Sequence, residues 1–284
     1  MRIELDKIDF IYQQRTPFAS VALSDVSLAI RPGERIGVTG AVGSGKSTLL
    51  ELLAGLKPPA SGRVRHDGCE LGGRGRRRVK PRPGSIGLAL QSPENCLFES
   101  TVRADVEFGP RNLGLAAGEA RARAEAALAS VGLAPARFSR RSPWSLSTGE
   151  QRRVALAGVL AMRPEVLLLD EPTAHLDPAT RQELIGRLLE VNAETGATIV
   201  MVGHDMDEMA RFAERLIILE DGRLAADGPA AALLADADLL RAHGLEAPAT
   251  VRLGMMLSAA LQRPVPALLS EAAAAGYLRQ LAEV

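Results

Sequence analysis

The segment GAVGSGKST, Gly40 to Thr48, sets glycines, a lysine and hydroxyls at a spacing suited to cradling phosphate groups. Gly40, Gly43 and Gly45, with Ser44 among them, let successive backbone N–H groups curl around phosphate oxygens without side-chain interference. Lys46 would pair with β- and γ-phosphate oxygens, the hydroxyl of Ser47 would be a ligand to Mg²⁺, and Thr48 closes the set. Four further residues could act on a phosphate held there. Asp170 and Glu171 end the apolar run VLLLDEP, so Asp170 would hold Mg²⁺ through its waters and Glu171 would polarise the water that attacks the γ-phosphate. The amide of Gln91 could reach Mg²⁺ or that water, and a neutral His204 could bridge the γ-phosphate to neighbouring loops, although a lone histidine is more often structural.

These side chains need strand ends that meet. Ile36 to Val38 reads as a short buried strand before the glycine loop, and Leu49 to Leu56 as a helix after it, whose positive dipole end would face the phosphate. Val166 to Pro172 is apolar without interruption, the pattern of a parallel strand buried on both faces, so Asp170 and Glu171 emerge at its carboxyl end. Ser85 to Leu90 and Thr198 to Val202 repeat the arrangement, delivering Gln91 and His204 to the same crevice.

The chain has 284 residues, 46% of them hydrophobic, enough for one large or two ordinary domains. Lys+Arg and Asp+Glu both count 34, so no net field draws the whole molecule to nucleic acid or to an acidic membrane. The first residues lack a basic-then-apolar signal, and no run approaches the roughly 20 apolar residues that span a bilayer, so membrane work would require other subunits. Cys69 and Cys96 have no metal-ligand spacing and read as structural.

Residues 2 to 12 and 21 to 30 alternate apolar and polar, with Ile3, Leu5, Val26, Leu28 and Ile30 facing inward, and are expected to be two antiparallel strands. Tyr12 ends the first; it could stack on an adenine ring or be a half-buried strand tyrosine. Gly62 to His66 reads as a strand before an Asp67-Gly68 turn. The basic run Arg74 to Arg82 has no interleaved aromatics, so it suits a solvated loop better than a lipid or nucleic-acid contact. Residues 92 to 162 read as a helical insertion, ending in SLSTGEQRRVALAGVLAM with a helix from about Glu150 to Met162. Ser147 and Glu150 match a capping box, which by itself needs no further role. Another helix begins near Pro178, and Asp221-Gly222 reads as a hairpin turn. Beyond about residue 230 two helical stripes are expected, Leu253, Met256, Leu257, Ala260 and Leu261, then Ala274, Leu278 and Leu281.

Tyr12, the glycine loop, Gln91, LSTGEQ, VLLLDEP, HLD at 175 to 177 and His204 occur in an order that resembles the ATPase subunit of ABC transporters, over about residues 1 to 230. Phrases such as RTPFASVALSDVSL, QSPENCLFESTVRADVEFGPRNLGL and GLEAPATVRLGMML extend the resemblance over essentially the whole chain to the second ATPase type of energy-coupling factor (ECF) importers. That resemblance implies an α/β fold: a P-loop NTPase core with a mostly parallel sheet, an antiparallel β subdomain, a helical subdomain at about 92 to 162, and a C-terminal helical extension over 231 to 284 that joins two ATPases. It implies ATP and Mg²⁺ as cofactors and a head-to-tail dimer with a second ABC ATPase, a copy or a different chain. In that dimer Ser147 and Gly149 of one subunit close over the ATP of the other. It also implies a membrane coupling subunit received by Ser92 to Pro110, a small membrane protein that captures a vitamin or a Co²⁺/Ni²⁺ ion, a peripheral place on the cytoplasmic face of the cell membrane, and no nucleic-acid partner. Thr148 and His175 stand where the family usually has glycine; Thr148 is expected to keep ordinary helical φ. The competing readings are the ATPase of another kind of ABC transporter and a soluble ABC ATPase acting on ribosomes or DNA.

Overall fold

The computed structural model of the chain describes residues 1–72, 80–91 and 96–282. The N-terminal alternation folds as β1 (Ile3–Tyr12) and β2 (Ser20–Ile30), paired antiparallel, with β4 (Ser61–His66) on the other side of β1 and the short β5 (Cys69–Glu70) beyond it. Alternation is not strict. Lys7 and Asp25 take φ of 48° and 53°, the pairing register shifts beside them, and Leu5 and Ile8 both end inward. Gly62 permits this bulge: a Cβ there would lie 2.2 Å from the Lys7 carbonyl oxygen.

The second sheet has the order β10-β9-β3-β8-β7-β6. Strands β6 (Ile86–Ala89), β7 (Val166–Asp170), β8 (Thr198–Val202), β3 (Arg35–Thr39) and β9 (Arg215–Glu220) are mutually parallel, and β10 (Arg223–Pro229) returns antiparallel through the Asp221-Gly222 turn. Every residue of β7 and β8 is buried. Successive residues serve opposite faces: Val166, Leu168, Val200 and Val202 pack with the β1–β2 sheet and α1 (Lys46–Leu53), whereas Leu167, Leu169, Ile199 and Met201 pack with the helices of the other layer. Two buried apolar faces explain the uninterrupted apolar runs.

The other layer contains α2 (Val102–Asn112), α3 (Ala117–Ser130), α4 (Pro135–Phe138), a 3-10 turn at Pro143–Ser145 and α5 (Thr148–Ala161), followed after β7 by α6 (Pro178–Thr195) and after β8 by α7 (Met206–Phe212). The helices α8 (Ala230–Ala235) and α9 (Ala237–Ala242) send Leu234 and Leu240 into this same core, so the passage from strands to helices at residue 230 does not divide the packing. Two more helices, α10 (Ala249–Leu261) and α11 (Glu271–Ala282), complete the chain.

Several expectations are corrected. The helix after the glycine loop begins at Lys46 and ends at Leu53, and Gly55, at φ 69°, turns the chain so that Leu56 is exposed. The helix expected from Glu150 begins two residues earlier, because Ser147 is its N-cap. On α10 the buried residues are Val251 and Gly254, which packs against Leu268; of the expected stripe, Met256, Ala260 and Leu261 are exposed. Ala274 is buried but Leu278 is exposed. Both cysteines are exposed and free, not packed as structural residues; Cys69 sits in the two-residue edge strand. Arg74, Arg76, Arg77 and Arg78, and the start of the expected membrane-subunit segment at Ser92, lie outside the described residues.

Candidate active site

The glycine loop runs from the end of β3 into the first turn of α1. Gly40, Gly43 and Gly45 hold φ of 144°, 82° and 101°. At Gly40 a Cβ would meet the Leu219 carbonyl oxygen at 2.0 Å, and at Gly45 the Ala22 carbonyl oxygen at 2.4 Å, whereas at Gly43 nothing lies within 4 Å. The outer glycines therefore fit the loop against β9 and β2, and the middle one leaves its inner side open, a cradle for a phosphate at the positive end of α1. Ser44 is buried beneath it, and its carbonyl accepts from the Gly222 amide at 3.2 Å. The Lys46 ammonium donates to the Gly40 and Ala41 carbonyls at 2.9 and 2.7 Å. Burial pushes its pKa down, against the pull of Glu171 and Asp170.

At the end of β7, Asp170 is buried and accepts a hydrogen bond from the Ser47 hydroxyl. Burial pushes its carboxyl pKa up, and the Ser47 bond and Lys46 offset only part of that. A carboxylate so placed, beside a hydroxyl and short of positive charge, is a donor set suited to a hard cation such as Mg²⁺. Among the described residues no group of three or more His, Cys, Asp or Glu could hold a metal by itself, so such an ion would also draw on phosphate oxygens and water.

Glu171 follows in the left-handed region, at φ 49°, with its amide bonded to the Val202 carbonyl at 3.1 Å. A non-glycine residue held there is strained by about 1–3 kcal/mol, a cost that concentrates at functional sites, and here it turns the carboxylate out of the strand line. His204 Nδ1 lies 3.6 Å from Glu171 Oε1, and the imidazole is 72% exposed. Gln91 stands two residues past the Ala89↔Leu169 pair of β6 and β7, as Glu171 does on its strand. Among the described residues its side-chain amide makes no hydrogen bond, so it is brought to the same sheet edge without being bonded to Ser47 or Asp170.

Tyr12 is 36% exposed at the end of β1; its hydroxyl lies 2.9 Å from Thr48 Oγ1, and its ring packs edge-on against Phe10. Thr48 thus faces Tyr12. The Lys57 ammonium sits 4.5 Å from the centre of the Tyr12 ring and pairs with Glu51, a neighbour that the sequence reading did not identify. Ser147, Thr148 and Gly149 are elsewhere: they open α5 and, among the described residues, make no hydrogen bond to the glycine loop of their own chain. Both bonds of the capping box form, Ser147 N–H to Glu150 at 2.9 Å and Glu150 N–H to Ser147 Oγ at 3.3 Å. That cap uses only acceptor capacity of the hydroxyl, leaving its O–H free to donate. Thr148 has no positive φ, whereas His175 stands at φ 62°.

Thr173 and Glu208 form a second pair missed from sequence. The Thr173 hydroxyl donates to Glu208 at 2.6 Å, tying the loop after Glu171 to the helix after His204, and burial pushes the Glu208 pKa up.

Glycine cradle, half-buried lysine, hydroxyl–carboxylate pair and strained glutamate at one edge of a parallel sheet are the parts of a nucleoside-triphosphate-hydrolysing P-loop cassette. The ABC transporter family model matches residues 23–174, and an AAA-domain model overlaps it at 139–210. The ECF transporter ATP-binding protein EcfA2 of Symbiobacterium thermophilum is 48% identical over 255 residues, covering 89% of this chain and 87% of the relative. EcfA2 of Lacticaseibacillus paracasei is 42% identical over 260 residues, covering 91% and 90%. Among solved structures, cbiO1 of Clostridium perfringens, part of the cbiONQ transporter complex, superposes with a TM-score of 0.74 at 32% identity, covering 90% of this chain and 98% of that one. The dimeric cassette MJ0796, bound to ADP and phosphate after hydrolysis, gives 0.72 at 30% identity, over 80% and 98%. The chain belongs to the ABC transporter family, as an ATP-binding subunit of the energy-coupling factor type, and its activity is ATP hydrolysis coupled to transport.

Proposed function

We propose that this chain is the motor of an importer for a vitamin or a transition-metal ion such as Co²⁺ or Ni²⁺, working at the cytoplasmic face of the cell membrane. Among the described residues no helix is long and apolar enough to cross a membrane, so the reading gives the chain a peripheral place. ATP would lie with its phosphates in the Gly40–Thr48 cradle, where Gly40, Gly43, Ser44 and Gly45 offer backbone N–H groups and Lys46 turns from its own loop carbonyls to the β- and γ-phosphates. Tyr12 would support the adenine on the ring face away from Lys57. Ser47, Asp170 and Gln91 would hold Mg²⁺, which when bound neutralises charge on the phosphates. Glu171 would take the proton of the attacking water, and His204, 3.6 Å away, would steady the γ-phosphate end of the site.

The observation that carries the reading is the contrast between this furnished cradle and the solvent-facing N-terminus of α5, whose Ser147 hydroxyl and free N–H groups have no phosphate partner in their own chain. A second ABC ATPase, identical or different, arranged head to tail would give each helix terminus the other's γ-phosphate. Closure would then position the reactants, and hydrolysis would release the halves. For membrane subunits, Phe98 in the segment before α2 and Phe108 on α2 offer an exposed edge-to-face pair, with ring centres 4.7 Å apart. The similarity to EcfA2 proteins of energy-coupling factor transporters, and to cbiO1 of the cbiONQ transporter complex, supports an assembly of this kind. Affinity purification of the tagged chain from detergent-solubilised membranes should recover a second cassette ATPase, a membrane coupling protein and a small membrane capture protein. Recovery of ribosomal proteins or nucleic acid instead would overturn it.

A further inference from the structure

Arg152 lies on α5, one helical turn beyond Thr148, and is 5% exposed. It reaches out of the helical layer toward the sheet edge, where Nη1 donates to the Ala174 carbonyl at 2.7 Å and Nη2 to the Gln91 carbonyl at 3.0 Å. Those two carbonyls belong to different loops. Gln91 leaves β6, and Ala174 lies three residues after Glu171, in the same loop as Thr173 and the left-handed His175. A planar guanidinium suits this task, since its two terminal nitrogens point in fixed directions and their charge strengthens bonds to buried carbonyls.

The geometry points to Arg152 as a positioning residue for hydrolysis, one that locks the loops carrying Gln91 and Glu171 to the helix whose N-terminus bears Ser147 and Gly149. It acts through the two loop carbonyls to which it donates. It sets the relative placement of two reacting groups at the chain's own site and links that placement to the helix terminus that would serve a partner's site. A misplacement of the order of 1 Å at such groups costs turnover far more than ground-state binding. This rests on the assignment of Glu171 and Gln91 made above.

In the complex purified from membranes, Arg152→Gln should lower kcat at saturating ATP by tenfold or more while the KM for ATP moves less than threefold. Arg152→Lys keeps the charge without the planar fork and should recover only part of the rate. A wild-type kcat in Arg152→Gln, or a raised KM with kcat unchanged, would overturn the inference. If Arg152→Gln fails to assemble, Arg152→Lys decides: a reduced kcat at unchanged KM supports the positioning role, and a wild-type kcat removes it. Glu171→Gln measured in parallel separates the two failures. Retained turnover there means the hydrolytic assignment is wrong, whereas lost turnover beside wild-type Arg152 variants means that this inference alone is wrong.

Discussion

Two helix N-termini, those of α1 and α5, carry the same partial positive charge and have opposite surroundings. At α1 the glycine loop, Lys46, Ser47 and Asp170 converge, and burial shifts the pKa of Lys46 down and of Asp170 up. At α5 there is a satisfied capping box, and Ser147 and Thr148 stand in solvent. The first is built to hold charge against a desolvation cost. The second is a rigid donor with nothing of its own to hold, which is why the account gives it a phosphate from another subunit.

The comparison predicts unequal responses to substitution. The largest is at Glu171: Glu171→Gln keeps the shape but loses the base, so turnover should fall at least about 100-fold while ATP binding, measured by equilibrium dialysis, stays within threefold. Gly45→Ala should come next. The added Cβ meets the Ala22 carbonyl at 2.4 Å and φ is 101°, so the loop must shift, costing on the order of 1–3 kcal/mol and visible as a lower Tm and weakened ATP binding. Ser147→Ala removes an N-cap worth about 1 kcal/mol. In this account it also slows turnover in the complex; an unchanged kcat with the lower Tm would reduce Ser147 to a cap.

A smaller effect separates the two regions by pH. His66 is buried behind α1, its Nε2 3.0 Å from the Leu53 carbonyl, and burial lowers its pKa below the ordinary 6.5. The unfolded chain takes up a proton near 6.5 and the folded chain only at lower pH, so stability present above 6.5 is lost as pH falls through that window toward the folded value. Acid should therefore loosen the α1 half first, seen as faster amide exchange there than in α5, and His66→Gln should flatten the dependence. The smallest change is expected for Thr148→Gly. Thr148 already has helical backbone, so the substitution should leave turnover within threefold; a rise above tenfold would show that Thr148 obstructs the partner's nucleotide.

Much of this was legible because it is local. The glycine loop between apolar strand and helix, the buried runs of β7 and β8, the Ser147–Glu150 box and the Asp-Gly turns each depend on neighbours a few residues apart. Arg152 reaching Gln91 and Ala174, Thr173 meeting Glu208, and Lys57 over Tyr12 depend on which elements the sheet order brings together, which no spacing encodes. The α10 stripe misled for a related reason: Gly254, which adds no apolar side chain to the pattern, is the close-packing point, and Met256, Ala260 and Leu261 face outward. The left-handed Glu171 was equally hidden, since its strain is imposed by β8 through the Val202 carbonyl. His175 at φ 62° costs roughly 1–2 kcal/mol that a glycine would avoid, and nothing in the structure explains why histidine stands there.

The central claim is that this chain holds one complete phosphate cradle and the complement of another. The direct test is the steady-state ATPase rate of the isolated chain, diluted until it sediments as a monomer, against the same chain in the complex recovered from membranes. The account predicts that the monomer binds ATP yet turns it over at less than about a hundredth of the complex's rate, because no second α5 terminus reaches its γ-phosphate. A monomer as fast as the complex would contradict it.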